Sequence, residues 1–126
     1  MATWMAVVLG GALGSAARHG VNIATARLVS VPGPWPTAIV NLLGSLVIGV
    51  LAGALAGQRL SMSPVARTFV FVGILGGFTT FSSFMLDSLT LIEMGAPMKA
   101  GLNLAGQLVL GLLVTYAGYY IGLRSA

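Results

Sequence analysis

Apolar residues dominate the chain in four long segments, separated by short connections rich in proline, glycine or polar residues. The segments lie at about 5–26, 35–57, 65–92 and 98–123. Each is long enough to cross a bilayer, because a spanning helix needs about 20 mostly apolar residues. No stretch remains for a soluble domain. The pattern therefore predicts an all-α membrane protein in which residues 1–126 form a single transmembrane domain of four helices.

The third segment contains a stretch that is unusually rich in glycine and hydroxyl side chains, from Gly73 to Phe84. A glycine pair lowers helix stability, and threonine and serine hydroxyls compete for the hydrogen bonds of the backbone. We expect the third helix to be broken near Gly76 to Thr80. Such a break is tolerated at membrane depth only where protein or a watery cavity satisfies the freed backbone groups.

Composition supports the membrane class and argues against an enzyme. The chain is 57% hydrophobic and 6% charged, with one histidine, two acidic residues and no cysteine. No nucleophile, base and orienting group converge in the sequence, and cysteine-based metal sites are excluded. The six basic residues are scattered and do not form a stripe, so the formal charge of +4 does not predict nucleic-acid binding.

The basic residues also divide evenly between the two sides of the predicted bundle. Three lie on the side of both termini and three on the other side; they are Arg59, Arg67 and Arg124 against Arg18, Arg27 and Lys99. The positive-inside rule then favours neither orientation. Dual topology, with copies inserted both ways, is one hypothesis, and a fixed orientation set by details of charge position is the other. Four short helices enclose little interior, which predicts an oligomer.

Polar side chains recur inside the predicted spans, where an amide facing lipid is costly. In the fourth segment Asn103, Gln107 and Thr115 fall on one helical face together with Gly111. This face must meet protein or water, and it offers uncharged groups that suit partial replacement of the hydration shell of an ion. Asn41, in the second segment, either bonds a neighbouring helix or binds a dehydrated anion.

Two phenylalanines follow the predicted break. Phe81 and Phe84 stand three residues apart, beside the hydroxyl groups of Thr80, Ser82 and Ser83. Aromatic ring edges carry positive potential, so edges held toward a narrow polar path attract a small anion, and the hydroxyls add donors. The alternative is that both rings are lipid-facing or fill the core.

Two charged residues also fall within the predicted spans, Arg18 in the first and Asp87 in the third. Arg18 falls near the end of the first segment, where it either extends to the membrane surface or faces a vestibule and concentrates anions there. Asp87 lies one turn beyond Phe84 and would repel an anion if it were ionised and exposed. We expect it to cap, pair or titrate.

Three motifs resemble the signatures of the Fluc (CrcB) family of bacterial fluoride channels. They are GGALGSAAR at 10–18, VNLLG at 40–44 and GGFTTFSSF at 76–84. The third is long and specific, and the resemblance covers essentially the whole chain. It implies a multi-pass protein of the bacterial inner membrane that lets toxic fluoride leave the cytoplasm passively, built as an antiparallel dual-topology homodimer with two pores.

The resemblance also implies roles for individual residues. The family's pore phenylalanines correspond to Phe81 and Phe84, its pore asparagine to Asn41, and the arginine at the pore mouth to Arg18. A structural sodium ion at the dimer axis is held by backbone carbonyls that correspond to Gly76 and Thr79. The implied partners are fluoride, sodium, a second copy of the chain and the lipid bilayer.

The chain departs from the family pattern at His19, Ser83 and Asp87, and more consequentially in the fourth span. The polar track of the fourth span commonly uses tyrosine and serine, whereas this chain carries Asn103, Gln107 and Gly111 and retains Thr115.

Other functions compatible with four short helices make different demands. A small proton-coupled multidrug exporter of dual topology requires a titratable carboxylate deep in the membrane, and Asp87 is the only candidate for that group. A scaffold subunit without transport activity would have no use for a glycine break and a polar track.

Overall fold

The computed structural model describes residues 1–124, and within them the chain is helical apart from short connections. The helices are α1 (Ala2–Leu28), α2 (Trp35–Ala56), α3 (64–78), α4 (Phe81–Glu93) and α5 (Pro97–Arg124). The prediction of an all-helical fold is confirmed. The third predicted span is the part that divides, into α3 and α4.

Within residues 1–124, three spans are both long enough and apolar enough to cross a membrane: Trp35–Ala56, Pro64–Glu93 and Pro97–Arg124. Helix α1 has 27 residues, about 40 Å at 1.5 Å per residue, so its length also suffices. Its hydropathy is lower because it carries Arg18, His19 and Arg27. That α1 also crosses the bilayer stays a prediction.

Proline and hydroxyl residues mark where the helices begin. Proline occupies the first turn of α2 and of α3. Backbone N–H groups in the first turn have no acceptor within the helix, so a proline there removes no helical hydrogen bond. The Ser63 hydroxyl accepts a hydrogen bond from the Ala66 N–H at 3.2 Å and caps α3. Gly95, with φ of +75°, supplies the left-handed residue in the turn between α4 and α5.

Helix α3 contains a π-helical stretch, Thr68–Leu75, in place of ordinary α-helix. This wider geometry is rare and often lies at functional sites. It packs against the glycine face of α1: a methyl group built on Gly10 would lie 2.5 Å from the Phe69 carbonyl oxygen, and one on Gly14 would overlap the Ile74 carbonyl. The small residues of α1 therefore allow backbone-to-backbone contact directly before the break.

Helices α2 and α5 form a second pair that is also packed through glycine. A methyl group on Gly53 would overlap the Tyr119 carbonyl oxygen, and one on Gly122 would overlap that of Val50. Small residues on facing helices allow this close approach inside a membrane. The α2–α5 pair fixes the register between Asn41 on α2 and the amides of α5.

We expect Gly53→Ala to lower the stability of the folded protein, because the two backbones must separate to admit the methyl group. Overpacking of this kind costs about 1–3 kcal/mol. Gly106→Ala is the matched control, since a methyl group there meets nothing within 4 Å and alanine improves helix propensity by about 1 kcal/mol. Thermal unfolding in detergent should show a lower midpoint for the first variant only. Equal midpoints would contradict the glycine packing.

Candidate functional site

The break between α3 and α4 consists of two extended residues. Thr79 has φ −78° and ψ 158°, and Thr80 has φ −151° and ψ 117°. The break thus falls within the stretch from Gly76 to Thr80 where the sequence predicts it. The Thr79 hydroxyl donates back to the Leu75 carbonyl at 2.8 Å. The Thr80 hydroxyl accepts from the Ser83 N–H at 3.3 Å and caps α4.

Asn41 of α2 holds the break through the backbone of Thr80. The Thr80 N–H donates to Asn41 Oδ1 at 2.9 Å, and Asn41 Nδ2 donates to the Thr80 carbonyl oxygen at 3.1 Å. A backbone N–H can only donate, so this pairing fixes which end of the amide is the oxygen. A side chain from another helix thereby satisfies both backbone polar groups of Thr80.

Because of the same contacts, two backbone carbonyl groups lack the N–H donors that they would have in a continuous helix. In a continuous helix the Thr80 N–H would bond the Gly76 carbonyl, but it donates to Asn41. The Ser83 N–H would likewise bond the Thr79 carbonyl, but it donates to the Thr80 hydroxyl. Gly76 and Thr79 are the two residues to which the resemblance to the fluoride channels assigns carbonyl ligation of a cation. Both carbonyl oxygens have lost their ladder partners and keep their acceptor capacity.

A line of amide and hydroxyl groups extends from Asn41 across α5 to α4. Asn41 Nδ2 donates to Gln107 Oε1 and Gln107 Nε2 donates to Asn103 Oδ1, each at 2.9 Å. Asn103 Nδ2 donates to the Ser88 hydroxyl at 2.9 Å, and that hydroxyl donates to the Phe84 carbonyl at 2.9 Å. These groups form one hydrogen-bonded series that begins on the backbone of Thr80 in the break and ends on the backbone of Phe84 in α4. The predicted polar face of α5 therefore meets protein, with Asn103 buried.

Thr115 lies on the same helix but outside this series. Its hydroxyl lies 3.1 Å from the Ser45 carbonyl oxygen and 2.8 Å from the Gly111 carbonyl oxygen, and these two acceptors share its one hydrogen. Both acceptors are backbone groups, one on α2 and one on its own helix. In this arrangement Thr115 ties α2 to α5, and it is two turns away from Gln107.

The two phenylalanines adopt different environments. Their ring centroids are 6.0 Å apart with an interplanar angle of 73°, an edge-to-face pair. Phe84 is 3% exposed and Phe81 is 70% exposed. One ring is therefore inside the fold of the single chain, and the other projects from it.

A groove of about 400 Å³ gathers most of these groups. The predicted site residues that line it are Asn41, Gly76, Thr79, Thr80, Phe81, Phe84 and Gln107, with Gly44, Ser45, Ile48, Phe71, Leu75 and Leu108 completing the wall. Ser82 and Ser83 do not line the groove, but their hydroxyl oxygens lie 3.4 Å and 3.1 Å from the Thr80 hydroxyl oxygen. Asn103 and Thr115 are outside the wall, as is the half-buried Arg18 of α1.

Sequence reasoning missed Ser88. It is buried and joins Asn103 to the Phe84 carbonyl. Its position four residues after Phe84 places it on the same helical face, and this spacing alone predicts that Ser88 lies next to Phe84. The Oδ2 atom of Asp87 is buried and has no hydrogen-bond partner among the described residues.

Comparison with known proteins identifies the family. Residues 5–119 match the family described as CrcB-like protein, Camphor Resistance (CrcB). The chain belongs to this family. The matched range includes all the residues that line the groove, so the site is part of the CrcB-like fold and the resemblance seen in the three motifs is confirmed.

Curated relatives of this CrcB-like chain are similar over nearly its full length. The relative from Hyphomonas neptunium is 41% identical, covering 96% of this chain and 95% of its own. The relative from Paracoccus denitrificans is 48% identical, covering 95% and 94%, and one from Thermus thermophilus is 44% identical, covering 94% and 92%. Each is named a fluoride-specific ion channel, FluC. These names describe channels and agree with the prediction that the chain is not an enzyme.

Proposed function

We propose that this protein is a fluoride-selective channel that lets fluoride leave the bacterial cytoplasm passively across the inner membrane. The observation that carries the proposal is the groove at the helix break. There an amide clamp, a polar series without charged groups and an edge-to-face phenylalanine pair meet inside a bundle of apolar helices. The fluoride-specific channels among the relatives support the same conclusion.

The chemistry of the groove suits a small, strongly hydrated anion. A conducting site must replace part of the hydration shell yet bind weakly enough for the ion to leave. Hydroxyls, amides and ring edges provide donors and positive potential without a full positive charge that would trap the ion. Thr80, Ser82 and Ser83 supply the hydroxyls, and Asn41 and Gln107 supply the amides.

The remaining predicted site residues take supporting positions in this proposal. Arg18 is half-buried on α1, one turn beyond the glycine contacts, and attracts anions toward the mouth of the pathway. Asn103 accepts a hydrogen bond from Gln107 and donates one to Ser88, so these two residues hold the Gln107 amide in place. Thr115 continues the polar face of α5 toward its carboxy-terminal end.

We propose that the working unit is an antiparallel homodimer with two pores. In the single chain the groove is open and Phe81 is largely exposed, so a second surface must complete the wall. An inverted copy brings its own break to the same depth, because the break lies near the middle of the Pro64–Glu93 span. The balance of basic residues supports insertion in both orientations. A carboxy-terminal tag that is accessible from one face only would contradict the dual topology.

The released carbonyls fit a sodium ion at the axis of such a dimer. Carbonyl oxygens are suitable ligands for a monovalent hard cation, and those of Gly76 and Thr79 have lost their ladder donors to Asn41 and the Thr80 hydroxyl. Residues 1–124 contain no group of three or more His, Cys, Asp or Glu side chains able to hold a metal. A bound sodium would neutralise the partial charge of the facing carbonyls and tie the two breaks together.

Replacing sodium should therefore lower the stability of the dimer. In N-methyl-D-glucamine buffer of equal ionic strength we expect a lower thermal midpoint than in sodium buffer. A ligand at 100 times its dissociation constant stabilises the state that it binds by about 2.7 kcal/mol. Unfolding followed by circular dichroism in detergent measures the difference. Identical midpoints would contradict a sodium ion that holds the two chains together.

The experiment that tests the function is fluoride efflux from liposomes that contain the purified protein, with chloride as the comparison ion. Potassium and valinomycin carry the compensating charge. We expect rapid release of fluoride and retention of chloride. Release of both ions, or of neither, would contradict the proposal.

A further inference from the structure

The series of side chains from Asn41 to Ser88 has a direction that backbone groups fix at both ends. At one end the Thr80 N–H can only donate, so it faces Asn41 Oδ1. At the other end the Phe84 carbonyl can only accept, so the Ser88 hydroxyl donates to it. The amides of Gln107 and Asn103, between these ends, must therefore donate in one direction, from Asn41 toward Ser88.

When the amides are oriented in this way, Asn41 has no hydrogen available for an anion. Its Nδ2 group carries two, and they go to the Thr80 carbonyl and to Gln107 Oε1. The Gln107 oxygen is thus the group that an anion approaching Asn41 has to replace. Replacing the Thr80 carbonyl instead would open the clamp on the helix break.

We propose that Gln107, Asn103 and Ser88 form a reversible relay that delivers amide hydrogens to an anion at Asn41. The inference rests on the proposed function and adds a mechanism for anion recognition to it. When an anion displaces Gln107 Oε1, the Gln107 amide turns over, so that Nε2 joins Asn41 Nδ2 in donating to the ion. Asn103 and Ser88 then turn in sequence behind it.

Every buried group keeps a partner after the reversal. Gln107 Oε1 accepts from Asn103 Nδ2, and Asn103 Oδ1 accepts from the Ser88 hydroxyl. The Phe84 carbonyl gives up that hydroxyl but keeps its place in the ladder of α4. Side-chain amides and hydroxyls both donate and accept, which allows either direction. The amide torsions are two-fold and broad, so the turn requires little displacement of the side chains.

The relay gives a physical basis for choosing fluoride over larger anions. In the absence of an anion the amide groups of the relay donate hydrogen bonds to one another and to Ser88. This arrangement avoids the free-energy cost of burying unsatisfied donors. Fluoride is a small and strong hydrogen-bond acceptor. The two short charge-assisted bonds that it accepts offset the free energy needed to reverse the relay. Chloride requires the same reversal and forms weaker bonds, so it recovers less free energy.

The test is nuclear magnetic resonance of the side-chain amides in lipid nanodiscs, with ¹⁵N-labelled Asn and Gln and equal additions of sodium fluoride or sodium chloride. In the wild-type protein we expect fluoride, but not chloride, to shift the amide resonances of both Gln107 and Asn103. The Asn22 amide of α1 is the internal control, because its Oδ1 has no hydrogen-bond partner among residues 1–124. In Gln107→Met, of similar length but without the amide, the response of Asn103 should disappear.

The outcomes separate the relay from the channel function when efflux of fluoride from liposomes is measured on the same wild-type preparation. Fluoride efflux with unshifted Gln107 and Asn103 amides would overturn the relay and leave the channel function intact. An Asn103 shift that persists in Gln107→Met would mean direct contact with the ion, and would also overturn it. Shifted amides without fluoride efflux would support the relay and overturn the channel function.

Discussion

Asn41→Leu should reduce fluoride flux by roughly 100-fold or more. The substitution removes the bonds to the Thr80 N–H and carbonyl and the bond to Gln107. A buried polar group left without a partner costs about 1–3 kcal/mol, and each 1.4 kcal/mol corresponds to about tenfold in an equilibrium constant. The break would lose its clamp and the groove would lose the amide donor that faces Gln107. Fluoride efflux from liposomes, normalised to folded protein, measures the effect.

The matched control is Asn22→Leu. Asn22 is a half-buried amide on α1 that does not line the groove. We expect this variant to keep most of the wild-type flux and to show the same oligomeric state by size-exclusion chromatography. An Asn41→Leu protein that folds and conducts at the wild-type rate would show that the clamp does not serve conduction.

Phe84→Ile and Phe81→Ile should each lower fluoride flux by up to about tenfold. Isoleucine fills a similar volume but has no ring edge, so it removes the positive potential that the edge presents to an anion. Interactions of aromatic edges are worth about 0.5–1.5 kcal/mol. Phe84→Ile should also lower the unfolding midpoint, because Phe84 is buried, whereas the exposed Phe81 contributes less to the stability of the single chain.

Phe69→Ile is the control for these two variants. Phe69 is a half-buried residue of α3 outside the wall of the groove. The same efflux assay should give near wild-type flux for it. If both pore variants also conducted at the wild-type rate, the rings would be packing elements only.

Much of the local structure follows from the sequence because it depends on neighbouring residues. Long apolar runs bounded by proline and glycine predict helices, and the Gly-Gly-Phe-Thr-Thr stretch predicts the break, since the hydroxyl of Thr80 can cap a new helix there. Four-residue spacing correctly places Asn103 and Gln107 on one face. These features need no knowledge of which helices are neighbours.

Other features depend on tertiary register and were not accessible from the sequence. The Asn41–Gln107 bond joins residues 66 positions apart, and its direction is set by the backbone of Thr80 in the break. Thr115 shares the helical face of Gln107, yet the glycine packing of α2 on α5 brings it to Ser45 instead. The apolar residues of Thr68–Leu75 predict only a membrane-spanning helix, and the π-helical geometry accompanies backbone contact with Gly10 of α1.

The measurement that tests selective, passive conduction most directly is the zero-current voltage across a planar bilayer that contains the protein. With a tenfold fluoride gradient and an opposite chloride gradient, a fluoride-selective channel should give about 59 mV, with the sign set by fluoride. A pH gradient should leave this voltage unchanged. A zero-current voltage that followed the chloride gradient or the pH gradient would contradict the account.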